Sequence, residues 1–303
     1  MDWYPPFRIN GTTNRATFNA FTLIELLVVL GVISSLIAII LPGLGAARRT
    51  AQSTRCLANL RRIETASILY LERSEGRFAP FRLKQQADGA TYINAFGRQK
   101  PRWQWFLAAD LGPVITPPMD SDAPWGDSVS RTMTNAYFLC PSLASGPYAR
   151  DIRNGAYGYN YQYLGNSRRD SSPNAYDHFP VSENEIGSPA QTVLVADSRG
   201  ADPDHGRHSY ALDPPRLAFE RHATRFGPGP SDGPISHSPA EARHLGKAVV
   251  SFVDGHAEAM TLSALGYEIG PDSVVVPVES ENSAVATNRL WTGSGADRYA
   301  RNP

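Results

Sequence analysis

From Phe21 to Leu41 the chain is apolar at almost every position, interrupted only by Thr22, Glu25 and the pair Ser34-Ser35. A run of 21 residues is far longer than a buried strand and predicts a helix. At 1.5 Å per residue such a helix is about 30 Å long, the thickness of a hydrocarbon core, so residues 21–44 predict a segment able to span a bilayer. After Pro42-Gly43 the pattern changes. Cys56, Leu60, Ile63 and Tyr70 recur at helical spacing, flanked by Leu57 and Leu71, and predict an amphipathic stem helix over 45–78. Its polar side carries Arg48, Arg49, Arg55, Arg61 and Arg62.

Beyond the stem, periodicity is short and local. Residues 79–303 read as a loop-rich α+β head. "RWQWF", with Trp103, Trp105 and Phe106, is an aromatic patch of the kind that forms core, with sugar or ligand stacking as the alternative. Tyr137-Phe138-Leu139 predicts a short buried strand ended by Cys140-Pro141, and "YGYNYQYLG" is dense in tyrosine and glycine. Thr192 to Ala196 predicts a strand ending at Asp197, and Ser198 to Ala242 predicts a long loop excursion. A C-terminal hairpin is predicted near 247–260. Lys247 to Val253 forms one strand, Asp254-Gly255 a two-residue type I′ turn, and His256 to Met260 the return.

Composition narrows the function classes. The 303 residues carry 29 Lys+Arg against 29 Asp+Glu, so no global basic excess points to nucleic acid. The arginine cluster on the stem has no aromatic interleaving of the kind that binds nucleic acid. Two cysteines, Cys56 and Cys140, are too few for a disulfide framework. Cys56 lies on the stem's apolar side, so one Cys56–Cys140 bridge is open, as are two separate buried thiols. No nucleophile elbow, phosphate-binding glycine loop or His-Glu-x-x-His helix occurs, and an enzyme is not expected.

Glu25 is the anomaly in the apolar run. A carboxylate inside hydrocarbon costs a few kcal/mol unless it finds a partner. A cleaved secretory signal is the nearest rival reading, but the apolar run exceeds the usual 7–15 residues of such a signal. The stretch Ala20-Phe21-Thr22-Leu23-Ile24-Glu25-Leu26-Leu27-Val28-Val29 resembles the cleavage and methylation signature of type IV prepilins and type II secretion pseudopilins. The resemblance implies a leader over residues 1–20 removed by prepilin peptidase after Ala20, N-methylation of Phe21, and Glu25 as the fifth mature residue. It also places Pro42 where many members carry a helix-kinking proline. The family's usual residue before the cut is Gly, and this chain has Ala20.

The same resemblance implies a pilin-like α+β fold, in which a long N-terminal helix packs on a small antiparallel sheet with long loop insertions. It implies a single-pass inner-membrane subunit with a cytoplasmic N-terminus and an extracytoplasmic head. Such a subunit is taken by an inner-membrane assembly platform into a homo- or hetero-filament of pilin-like subunits, a cell-surface pilus or a secretion pseudopilus. Glu25 would there neutralise a neighbouring subunit's terminal amine and set the stagger. A membrane-anchored extracytoplasmic module binding carbohydrate or peptide is the alternative.

A second motif, His244, nine intervening residues, then Asp254-Gly255, is similar to one near the C-terminus of planctomycete-type prepilin-like proteins. Asp197, His244, Asp254 and His256 are the candidate ligands of a cation such as calcium, since some pseudopilins bind it through loop carboxylates. A purely structural role for the turn and for His244 is the competing expectation.

Overall fold

A computed structural model describes residues 21–81, 102–114, 133–143, 155–165, 167–168, 176–177, 181–199, 210–216, 238–271, 275–276, 278, 283, 285–297. The leader 1–20, with Ala20, and most of the excursion between Ser198 and Ala242 lie outside these residues. The chain divides into two compact units, Met1–Ala47 and Arg48–Pro303.

One helix, α1 (Leu23–Arg73), runs through the first unit and into the second. All residues 21–44 are exposed, and the most apolar window reaches a mean hydropathy of 2.8. By length and composition this part can cross a membrane. Thr22 and Glu25 close its first turn reciprocally. The Thr22 backbone N–H and hydroxyl both donate to Glu25 Oε2 at 2.9 and 2.8 Å, and the Glu25 N–H donates to Thr22 Oγ1 at 3.2 Å. This is a capping box, which satisfies amides that a helix start leaves without partners. Pro42 sits inside α1 and removes one ladder donor, yet the helix continues past it.

In the second unit α1 has an apolar stripe. Cys56, Asn59, Leu60, Ile63, Glu64, Ala66 and Leu71 are buried, while Arg48, Arg49, Arg55, Arg61 and Arg62 are exposed. The helix ends at Arg73, five residues before the expected end at Phe78. Glu75 and Gly76 turn into positive φ (56° and 73°), and the Gly76 N–H closes back on the Leu71 carbonyl at 2.8 Å. That six-to-one closure is a Schellman stop, and Gly76 takes the left-handed conformation without a Cβ clash.

The head is α+β. Its main sheet has the order β1-β4-β5-β6, from β1 (Tyr157–Tyr159), β4 (Val193–Asp197), β5 (Ala248–Phe252) and β6 (Ala257–Met260), all antiparallel. A separate two-stranded ladder joins β2 (Ser167–Arg168) to β3 (Tyr176–Asp177). β4 and β5 are buried at every position, which accounts for their nearly continuous apolar sequence. Val249 belongs to the cluster that holds Cys56, Leu60 and Ile63 of the stem with Trp103, Phe138 and Tyr157. Its neighbours Ala248 and Val250 belong to a second cluster with Leu212, Leu265, Tyr267 and Trp291. The alternation of a strand therefore feeds two cores, one on each face.

Two local expectations are corrected. Tyr137-Phe138-Leu139 is not a strand: Ala136–Phe138 forms a 3-10 turn because the Asn135 side chain caps it, accepting the Tyr137 N–H at 3.0 Å. The β5–β6 hairpin has three loop residues, Val253, Asp254 and Gly255, since the Phe252 N–H donates to His256 O at 2.9 Å and Gly255 N–H to Phe252 O at 3.3 Å. Gly255 alone in that loop has positive φ, at 105°, which fits a type I turn followed by a glycine bulge rather than type I′.

Gly158 in β1 is required by close approach. A Cβ there would stand 2.2 Å from the Ala211 carbonyl oxygen, beside the segment that pairs with Tyr159. Because the obstacle is backbone, Gly158→Ala is expected to destabilise the head by at least about 2 kcal/mol, read as a lower midpoint in thermal unfolding. An unchanged midpoint would contradict the close pairing of β1 with residues 210–212.

Candidate functional site

Cys56, Cys140, Asp197 and His244 meet inside the head, and all four are buried. They come from four segments. Cys56 faces inward from α1, Cys140 follows the 3-10 turn, Asp197 ends β4, and His244 opens the tight turn before β5. Each is held by its own local structure. Asn59, one turn along α1 from Cys56, donates to the Ala136 and Leu139 carbonyls at 3.2 and 3.0 Å, and Gln52 donates to the Pro141 carbonyl at 3.1 Å. The stem thereby carries the Cys140 loop.

His244 is placed by a two-residue turn. His244 and Lys247 exchange backbone hydrogen bonds of 2.9 and 3.0 Å, and both intervening residues, Leu245 and Gly246, have positive φ (53° and 78°). This is the dihedral pattern of the type I′ turn expected at Asp254-Gly255, found instead at the other end of β5. Leu245 is exposed and gains nothing evident from the left-handed region, where a non-glycine residue is disfavoured by about 1–2 kcal/mol.

The geometry around Asp197 is dense. Its Oδ2 accepts the Val249 N–H at 2.7 Å and stands 3.4 Å from His244 Nε2. Its Oδ1 accepts from Cys56 Sγ at 3.5 Å and lies 3.6 Å from Arg243 Nε. The two sulfurs are 3.4 Å apart, Cys140 Sγ is 3.4 Å from His244 Nε2, and Tyr157 Oη is 3.0 Å from Cys56 Sγ. Ser142 Oγ is 3.2 Å from His244 Nδ1. Arg243, itself buried within the head, also pairs with Glu241 at 2.9 Å and donates to the Ser198 carbonyl.

These contacts reorder the acidities. Burial opposes charging of His244, but hydrogen bonds to Asp197 and Cys140 outweigh it and raise the imidazole to about 9. Burial pushes the Cys56 thiol up, while the hydrogen bond from Cys56 lowers Cys140, making Cys140 the more acidic sulfur. The arrangement is not a nucleophile relay. A Cys-His-Asp triad uses the two ring nitrogens for different partners, whereas here Nε2 faces both Cys140 and Asp197, and Nδ1 faces Ser142.

The sequence leaves both a Cys56–Cys140 bridge and two separate buried thiols open. The structure brings the two residues together as buried neighbours with their sulfurs 3.4 Å apart, against the roughly 2.05 Å of a bond. The expected cation set is divided. Asp197 and His244 come together, whereas Asp254 and His256 pair with each other at 2.6 Å on the hairpin turn. β5 lies between the two ends of the motif, and a five-residue strand is about 17 Å long. One ion cannot bridge that span. The nine-residue spacing is the length of one strand with its two turns.

Asp254-Gly255 instead meets the stem. A Cβ on Gly255 would be 3.1 Å from Glu64 Oε1, so the missing side chain lets the hairpin settle on the helix. Phe252 stacks on His256 at 4.2 Å between ring centroids. Trp103 and Trp105 are buried, which withdraws both indoles from any stacking platform. The residues missed by sequence reasoning are Glu64, Ser142, Tyr157 and Arg243. The only hint was a charged Glu64 next to Ile63 on the apolar stripe. No family model, curated protein or solved structure matches the chain.

Replacing Leu245 by Asn, which tolerates positive φ, is expected to stabilise the head by about 1 kcal/mol, seen as a higher denaturant midpoint with an unchanged slope. Glu64 gives a pH signature. Burial, and next the Asp254 carboxylate, raise its carboxyl from 4.5 to about 7, against a smaller lowering by His256. The folded state then holds the proton more tightly than the unfolded chain, so the associated stability is full below pH 4.5 and is lost as pH rises through 7. With the shift discounted for solvent at the hairpin's edge, the loss is about 1–2 kcal/mol. Glu64→Gln should flatten the decline in unfolding free energy between pH 5 and 8, and an unchanged decline would assign it to other groups.

Proposed function

We propose that the chain is a pilin-like structural subunit, cut before Phe21 by a prepilin peptidase and assembled through α1 into a type IV pilus or a type II secretion pseudopilus. The observation that carries this reading is the division of labour along one helix. The first part of α1 is apolar and exposed throughout, and the second part carries the head's core on a single stripe beneath a small antiparallel sheet. A subunit that waits in a bilayer and then packs by its helix into a bundle needs that division. The signature around Ala20, Phe21 and Glu25 supports the same reading, as does a proline at Pro42 within the span.

The head would lie outside the inner membrane, with the N-terminus in the cytoplasm where the leader meets its peptidase. Arg48 and Arg49 then sit close to the membrane surface, where long cationic side chains reach the headgroups. Glu25 already caps its own helix. A carboxylate has room for further donors, so a neighbour's terminal amine can join the Thr22 hydroxyl on the same group during packing.

Mass spectrometry of the N-terminus from native membranes tests the reading. A mature chain beginning at N-methyl-Phe21 is expected, and an intact Met1 or a start near Ala46 would overturn it in favour of an anchor or a secreted protein. Glu25→Leu should leave the amount in the membrane unchanged and cut incorporation into sheared filaments several-fold. Equal incorporation would remove the pairing role of Glu25.

A further inference from the structure

Filament assembly through α1 makes no use of the buried cluster in the head. In a tetrahedral zinc site, metal–sulfur bonds near 2.3 Å and metal–nitrogen or metal–oxygen bonds near 2.0–2.2 Å place neighbouring donors about 3.3–3.8 Å apart. Three edges fall in that range whichever Asp197 oxygen is the donor. Cys56 Sγ to Cys140 Sγ is 3.4 Å and Cys140 Sγ to His244 Nε2 is 3.4 Å, while Asp197 adds either Oδ1, 3.5 Å from Cys56 Sγ, or Oδ2, 3.4 Å from His244 Nε2. One donor atom from each residue lies within 4.8 Å of all the others. We propose that Cys56, Cys140, Asp197 and His244 form a closed structural site for one zinc ion.

The donor types select the metal. Two sulfurs and an imidazole suit zinc and disfavour calcium or magnesium, which take oxygen ligands in larger number. An iron–sulfur cluster draws on four cysteines, or on two cysteines and two histidines, and this group has two cysteines with one histidine. Four protein donors with no exposed member leave no position for substrate, which makes the site structural. The surroundings supply the outer contacts that orient metal ligands. Ser142 Oγ takes His244 Nδ1 and turns Nε2 inward, Tyr157 Oη approaches Cys56, and the Val249 N–H with Arg243 holds the Asp197 carboxylate.

A disulfide would use the same two sulfurs but would not account for the other two donors. It would leave Asp197 and His244 to each other as an ion pair at 3.4 Å, with the imidazole also facing a sulfur that hydrogen-bonds weakly. Zinc uses all four groups. On binding, each thiol and the imidazolium give up a proton to solvent, so that two thiolates and a neutral imidazole hold the ion with no change of oxidation state.

The test uses the full-length chain, extracted from membranes in detergent. Elemental analysis is expected to find one zinc per chain. Cobalt(II) added to the metal-stripped, reduced protein is expected to give an intense thiolate-to-cobalt charge-transfer absorption with tetrahedral ligand-field bands. Ser142→Ala should keep the stoichiometry and weaken zinc binding about 10- to 100-fold. Cys140→Ser should remove most of the charge-transfer intensity. If that variant does not fold, the wild-type cobalt spectrum and Ser142→Ala still decide. A native Cys56–Cys140 disulfide, resistant to alkylation until reduced and two hydrogens lighter, would overturn the site. So would reduced protein that gives no thiolate-to-cobalt absorption, or an unchanged zinc affinity in Ser142→Ala.

Discussion

A carboxylate with no solvent exposure organises the head. Asp197 ends a central strand, and a buried charge is tolerated only when its surroundings supply hydrogen bonds and opposite charge. Four groups from three places in the chain meet that demand: a thiol on the stem, a guanidinium and an imidazole from adjacent positions before β5, and a backbone amide within β5. The stem and the sheet are thereby tied to one point, and the segment after the 3-10 turn joins it through Cys140 beside Cys56 and His244. Removing the carboxylate would leave Arg243 buried without its main counter-charge, so the cluster and the fold stand together.

The two proposals divide the molecule's work. Mechanical anchoring needs a helix that remains helical whether lipid or other helices surround it, and capping at Thr22 and Glu25 secures its first turn from within. The head needs internal fastening, because among the described residues its main sheet has four short strands and long stretches of sequence connect them. The proposed zinc cross-link under the stem would meet this need without a larger apolar core.

What was legible beforehand follows from the range of the interactions. The spanning run, the stem's stripe and the β4, β5 and β6 segments show in local periodicity, which sequence records directly. The C-terminal end of α1 was misplaced because Glu75-Gly76 stops the helix through dihedrals, not through a proline. The Tyr137 segment was misread because one Asn135 cap outweighed a β-prone composition. The cluster was seen only in halves. Cys56 and Cys140 stood as an open pairing and Asp197 with His244 as half of a set that also held Asp254 and His256, but the union of cysteines with Asp197 and His244 depends on contacts between residues 104 and 141 positions apart. Sequence spacing suggested that His244 and Asp254 share one site, yet that spacing is a strand, which separates its ends.

The closed first turn of α1 also bears on what the proposed leader removal would do to the subunit. Thr22 and Glu25 supply the cap, and both lie on the mature side of a cut before Phe21. No residue of the leader is needed to start the helix. Cleavage would therefore alter charge and length at the end of the chain while leaving the helix register as it was. A subunit resting in the membrane and one joining a filament could then share the same rod, so maturation would require no refolding of the part that bears the load.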